Sequence, residues 1–173
     1  MENVVGALRG MYRDTIVNAE NQLVFDSGWI SNTIVINGRV LLAALMKRDQ
    51  NASGIYCMKV GMGSETWGNN PKQPAASLTD LVKPYKKQII IDPKTDISYL
   101  DDKNNKTDQP THRLEVRVVL GKDFPEKNET CELREFGLFG RFNGELRMIN
   151  CVRHPVIQKA ASETLIRVVR LFF

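Results

Sequence analysis

The sequence predicts a mainly β protein, an antiparallel β-sandwich with one main α-helix packed against it. Three observations lead there. Residues His112 to Leu120 alternate strictly, with Leu114, Val116, Val118 and Leu120 on one face and Arg113, Glu115 and Arg117 on the other, as a strand with one wet face requires. Two apolar-rich segments, Leu133 to Phe139 and Leu146 to Val152, flank Asn143-Gly144, whose residues tolerate the positive φ angles of a type I′ turn; that spells a β-hairpin. The clearest helical stretch runs from Arg39 to Lys47. There Val40, Leu41, Ala44 and Leu45 share a face, Asn37 is placed to cap, and Lys47 and Arg48 meet the C-terminal dipole.

A chain of 173 residues is one domain by size, long enough to bury about 70% of the surface its unfolded form exposes. Hydrophobic residues make up 42% and charged residues 25%, a balance that excludes wholesale disorder. The longest apolar run, Val40 to Met46, is too short to cross a bilayer, and Met1-Glu2-Asn3 lacks the opening of a signal peptide. A soluble product of cytoplasmic synthesis, without a membrane partner, is expected. Cys57, Cys131 and Cys151 cannot all pair within one chain and form no Cys-x-x-Cys, so three reduced thiols are expected. The net charge of +4 would suit an acidic partner such as nucleic acid. Basic and acidic residues are interspersed, however, and no aromatic-basic platform is visible along the chain, which counts against nucleic-acid binding.

Taken in order, Val4, Leu8, Met11 and Tyr12 lie at helical spacing in a segment too short, and too interrupted by glycine, to hold alone. Residues 1–20 therefore read as an N-terminal arm, packed on its own domain or ordered on a neighbouring subunit, and residues 21–173 as a single β-rich structural domain. Leu23-Val-Phe and Thr33-Ile-Val-Ile read as strands around the turn Asp26-Ser27-Gly28. Gly54 to Gly61 is a strand with Tyr56, Met58 and Val60 inward, followed by a long loop over Gly61 to Pro71. Trp67 in that loop either covers its own core or offers a partner an aromatic hot spot. Pro74 to Val82 reads as one helical turn stopped by Pro84. A strand beginning at Lys87 leads into the polar loop Asp92 to Gln109.

The His112 strand is expected to pair with the Cys131 strand through the connection Gly121 to Thr130. Gly137 and Gly140 within the hairpin mark a bulge or a close backbone approach, since glycine otherwise weakens a strand. Val156 to Ser162 reads as a connector. Thr164 to Phe173 is apolar on both faces except at Arg167 and Arg170, so it is expected to be buried on both sides, either by its own domain or by another subunit.

Catalytic constellations are hard to assemble from these residues. His112 and His154 are the two histidines, and no serine sits in a G-x-S-x-G elbow. The loop after Val60 lacks the lysine of a phosphate-binding GxxxxGK[ST] motif, and the aspartates after Asp92 lack the alternation and glycine of a calcium loop. Cys151 and His154 have C-x-x-H spacing, but positions three apart in extended chain face opposite ways, and the same holds for Glu132 and Glu135. No enzyme activity, cofactor or metal is expected.

The run Leu133-Arg-Glu-Phe-Gly-Leu-Phe-Gly-Arg-Phe-Asn-Gly-Glu-Leu resembles a signature of tail-fibre attachment and baseplate proteins of tailed bacteriophages and of phage-derived contractile injection systems. Trp29-Ile-Ser-Asn-Thr-Ile-Val-Ile-Asn-Gly-Arg-Val-Leu-Leu-Ala-Ala-Leu, and Val60-Gly-Met-Gly-Ser-Glu-Thr with Pro74-Ala-Ala-Ser-Leu-Thr-Asp-Leu, fit the same pattern in the same order. The resemblance implies a non-catalytic virion structural protein at the baseplate, collar or fibre attachment, a homo-oligomer, as a trimer, bound to other tail proteins. A capsid-decorating or head-associated protein is the neighbouring alternative; a small hydrolase or nucleic-acid-binding module is the alternative of another class. Partner contacts are expected at Val4, Leu8, Met11, Tyr12, Trp67, Phe172 and Phe173.

Overall fold

Asn143 and Gly144 have φ of 52° and 78°, so the two-residue turn is left-handed at both positions, as a hairpin matched to the twist of its strands requires. The turn places Phe142 opposite Glu145. In the computed structural model, which describes residues 8–173, this hairpin belongs to a mainly β fold with one α-helix. The strands are β1 (Arg9–Val17), β2 (Leu23–Asp26), β3 (Ile30–Ile34), β4 (Ala52–Gly61), β5 (Ile89–Ile90), β6 (Ile97–Leu100), β7 (Lys106–Thr107), β8 (Arg113–Leu120), β9 (Cys131–Phe142), β10 (Glu145–Met148), β11 (Asn150–Lys159) and β12 (Thr164–Phe172). Helix α1 spans Ile36–Met46.

All pairings are antiparallel, and the strands follow one hydrogen-bonded path, β5-β4-β9-β11-β3-β1-β12-β8-β6-β7, with β2 on β1 and β10 on β9. That path folds over into two layers. Tyr12, Ile16, Val116, Val118, Leu165 and Val169 from one layer share a core with Met58, Val60, Leu133, Phe136, Leu138 and Val152 from the other. Tyr12 meets Phe136 edge-on at 5.2 Å between ring centres. The layers are continuous through β3 and β11, which pair at Thr33 with Cys151 and at Ile34 with Asn150. A second cluster, Val35, Cys57, Leu81, Phe139, Met148 and Cys151, lies apart from this core and includes side chains of β4, β9 and β11.

Several elements depart from the sequence reading. Arg9 to Tyr12 are strand, not helix, and β1 lies between β12 on one side and β2 and β3 on the other, so the expected arm through residue 20 contributes a central strand. Local helical spacing loses to the alternation of Tyr12, Asp14 and Ile16, which all face inward. Val4 lies outside the described residues. Helix α1 begins before Asn37, with Val35 at the N-cap and no side-chain cap, and Lys47 is its C-cap. Its buried face is Gly38, Leu41 and Ala44, whereas Val40 is 57% exposed.

Pro74 to Val82 forms a turn, in which Leu78 N–H donates to Ala75 O, without helix; a short 3₁₀ turn occurs instead at Glu65–Trp67. β8 pairs with β12 and β6 rather than with β9, because the connection after Leu120 crosses between layers. β11 extends to Lys159, through much of the expected connector. β12 alternates: Leu165, Arg167, Val169 and Leu171 are buried and the residues between them are half-covered, so only one face is sealed.

The two hairpin glycines are explained by close approach. A Cβ at Gly137 would stand 2.5 Å from Asn150 O, and one at Gly140 would overlap Leu41 of α1. Asn150 is buried and its Oδ1 accepts Leu138 N–H at 2.7 Å, so this backbone cannot shift without losing an internal hydrogen bond. Gly137→Val is therefore expected to lower stability by about 3 kcal/mol or to abolish soluble folding; urea denaturation reads the change, and a midpoint equal to that of the unchanged chain would refute the close-approach account.

Candidate functional site

Helix α1 approaches the sheet closely at Gly38 and, along the same stretch, borders a cavity. A Cβ at Gly38 would stand 2.5 Å from Ile149 O, so glycine here lets the helix backbone approach the β10–β11 junction. Gly38, Leu41, Leu42 and Leu45 of the helix, with Ile149, border a cavity of about 620 Å³ whose wall also includes Ile55, Ile91, Leu114 and Leu171. Leu8 and Phe173 also line it. The walls are predominantly apolar, with Tyr56 and Phe173 among aliphatic residues, and the volume falls in the range of small-ligand pockets. Such a cavity recognises apolar shape and offers little to orient or polarise a reacting group.

The expected partner-contact residues are divided among separate places. Leu8 and Phe173 come together at this cavity, and Phe173 is 42% exposed. Met11 and Phe172 lie on the outer face of the β1–β12–β8 layer beside Trp29. Tyr12 is in the core, 2% exposed, and burial with the charge of Asp14 raises its hydroxyl pKa to about 12. Trp67 is half-buried, with the Arg153 guanidinium 4.5 Å from its ring centre and Gly63, at φ 55°, against the ring.

Asp14, His154 and Glu135 are groups capable of proton chemistry that are buried and paired. Asp14 on β1 and Arg167 on β12 are cross-strand neighbours that the inward alternation points into the core, and both are fully buried. Arg167 Nε and Nη2 donate to the two carboxylate oxygens of Asp14 at 2.7 Å each. Nη2 also donates to His154 Nε2 at 3.1 Å, and the guanidinium lies 3.7 Å from the Phe136 ring centre. His154 Nδ1 is 2.7 Å from Pro155 O, so Nδ1 carries the proton and the ring is neutral. Burial, then the charge of Arg167, lowers its pKa to about 4.

A depression of about 320 Å³ between Phe25, Ile30 and Val156 has Asp14 and His154 at its floor. Both histidine nitrogens and both carboxylate oxygens are already committed, which leaves no free acid–base pair there. Glu135 is likewise buried and accepts the N–H groups of Val82 at 3.0 Å and Lys83 at 2.7 Å, tying the loop before Pro84 to β9. Cys151 and His154 belong to different clusters on opposite sides of β11, and among the described residues no group of three or more His, Cys, Asp or Glu is placed to hold a metal.

No protein-family model matches this chain, and neither a search of curated proteins nor one of solved structures found a match.

Sequence reasoning missed Arg167 as an interior residue, although the same-face series Leu165, Arg167, Val169 and Tyr12, Asp14, Ile16 held the signal: opposite charges, each inside an apolar stripe.

The depressed pKa of His154 gives a stability–pH prediction. The folded state holds the ring neutral while the unfolded chain protonates near the ordinary value of 6.5, so the contribution is complete above pH 6.5 and is lost as pH falls toward 4. Unfolding free energy should drop by up to about 1.4 kcal/mol per pH unit across that window, about 3 kcal/mol in all. Denaturant titrations at successive pH values measure this, and a flat profile between pH 6.5 and 4 would contradict the neutral assignment. The thiols give a second prediction. Burial raises the pKa of all three, that of Cys151 to about 12, so none should react with a thiol reagent in the native protein at pH 8, and all three should react after unfolding.

Proposed function

We propose that this chain is a non-catalytic structural component of a phage or phage-like tail, at the baseplate, collar or fibre-attachment point. There it assembles as a homo-oligomer, a trimer, with neighbouring virion proteins. The observation that carries the reading is the apolar cavity beside α1, where Leu8 and the exposed Phe173 meet next to a helix whose cavity-lining Leu45 is 39% exposed. Apolar surface of this kind, concave and bordered by a helix, marks a contact site. The paired state of Asp14, Arg167, His154 and Glu135 also supports assembly over catalysis, since each is spent on holding the fold.

The sequence signature supports it as well: its glycines, Gly137 and Gly140, occupy positions of forced close approach. β12 has both edges taken by β1 and β8, so neighbours would reach it through its outer face and its end.

The test is incorporation into particles. Leu45→Asp and Phe173→Ser alter the border of the cavity and should leave unfolding free energy within about 1 kcal/mol of the parent, yet reduce co-sedimentation with assembled tails severalfold. Normal incorporation of both variants would remove the cavity as the docking site. Failure of the parent chain to co-sediment with any tail-like particle would remove the functional reading itself.

A further inference from the structure

The outer face of β1, β12 and β8 carries five arginines that the strand register sets in an X. One row across the three strands is Arg9, Phe172 and Arg113; the next is Met11, Arg170 and Glu115; the third is Arg13, Val168 and Arg117. The intervening residues Tyr12, Asp14, Val116, Val118, Val169 and Leu171 face the core, so alternation directs these rows outward.

Arg170 is the centre of the X. Its guanidinium lies 4.0 Å from the Trp29 ring centre, and its Nε donates to Glu115 at 2.9 Å. Arg9 stacks 4.8 Å from the Phe172 ring centre. Three of the arginines already hold a carboxylate: Arg13 takes Asp26 with two hydrogen bonds, Arg113 reaches Asp102 at 3.3 Å, and Arg170 holds Glu115. Arg9 and Arg117, at opposite corners, have no carboxylate partner among the described residues. A concavity of about 310 Å³ opens between Arg9, Trp29, Arg113, Arg170 and Phe172.

We propose that this face binds an extended acidic peptide segment of a partner protein, one with carboxylates on alternate residues. Charge complementarity carries the choice, because the array presents more guanidinium groups than the chain's own carboxylates occupy. Planar forks, two of them braced on aromatic rings, match carboxylates in bidentate fashion, and Arg13 with Asp26 already shows that geometry on this face. Along a diagonal of the X, from Arg9 through Arg170 to Arg117, successive arginines are one row and one strand apart, roughly 8 Å, close to the spacing of same-side residues in an extended peptide. A single-stranded nucleic acid fits less well, since guanidinium groups already stack on Trp29 and Phe172, the rings on which bases would stack. The proposal rests on the assembly reading only in assigning the segment to a neighbour in the particle.

Fluorescence anisotropy with the purified full-length chain tests it, using a labelled peptide of alternating glutamate and serine and an oligothymidylate of equal charge. Three proteins are compared: the parent, Arg9→Ser with Arg117→Ser, and a control of equal charge change at exposed positions, Lys122→Ser with Lys127→Ser. The parent and the control should bind the peptide, and the arginine variant should bind about tenfold more weakly with an unchanged melting temperature. Should that variant unfold, Arg117→Ser alone, at an exposed position, must show the loss. Absence of binding by the parent, equal weakening in the lysine control, or tighter binding of oligothymidylate than of peptide each overturns the proposal. No particle enters the titration, so its failure is separate from failure of the tail reading.

Discussion

The ion pair between Asp14 and Arg167, with His154 against it, is the constraint on which the two-layer arrangement depends. Asp14 and Arg167 are neighbours across β1 and β12, while His154 stands on β11 in the opposite layer, so the guanidinium bridges the interior as well as one ladder. A charge in such a place needs its partner, and leaving either one unpaired costs about 3 to 5 kcal/mol; Nε and Nη2 of Arg167 are bonded, while Nη1 has no hydrogen-bond partner among the described residues. The same requirement fixes register. A slip of one residue between β1 and β12 would turn Asp14 outward and leave Arg167 buried alone, which disfavours alternative pairings more sharply than apolar side chains would.

Around this pair, backbone contacts close enough to exclude a side chain set how the elements stack. Gly137 meets the carbonyl of Asn150, Gly38 meets that of Ile149, and Gly140 lies beneath Leu41. All three contacts gather where β9, β10, β11 and α1 meet, so the helix is held firmly at that side. The cavity opens beside these contacts: Gly38, Leu41 and Ile149 line it together with Leu42 and Leu45. Glu135 secures the opposite flank by capturing two N–H groups of the loop before Pro84.

Two surfaces of different character result. One is apolar, bounded by α1 and the residues Leu8 and Phe173; the other is a sheet face on which the Arg9 and Arg170 guanidinium groups lie over aromatic rings. Neither positions a free acid–base pair; the first offers apolar shape and the second charge.

The sequence by itself determined what depends on neighbours along the chain. Strict alternation marked the inner face of β8, Asn143-Gly144 marked the hairpin, Asp26-Ser27-Gly28 marked the turn between β2 and β3, and two glycines inside a strand marked a close approach. Each signal arises from side-chain direction or backbone freedom within a few residues. Tertiary structure alone decided what depends on register between distant strands. Asp14 and Arg167 are 153 residues apart, and only their ladder turns two charged positions into an interior pair. It also made a strand of Arg9 to Val17, gave β8 to β12 in place of β9, and moved the buried face of α1 onto Gly38. The arginine array is the plainest case, since its members come from three separate strands and share a face only after those strands pair. Its absence from the linear sequence has the same cause: local propensity fixes which way a side chain points along its own strand, and long-range hydrogen bonding fixes beside which others it will stand.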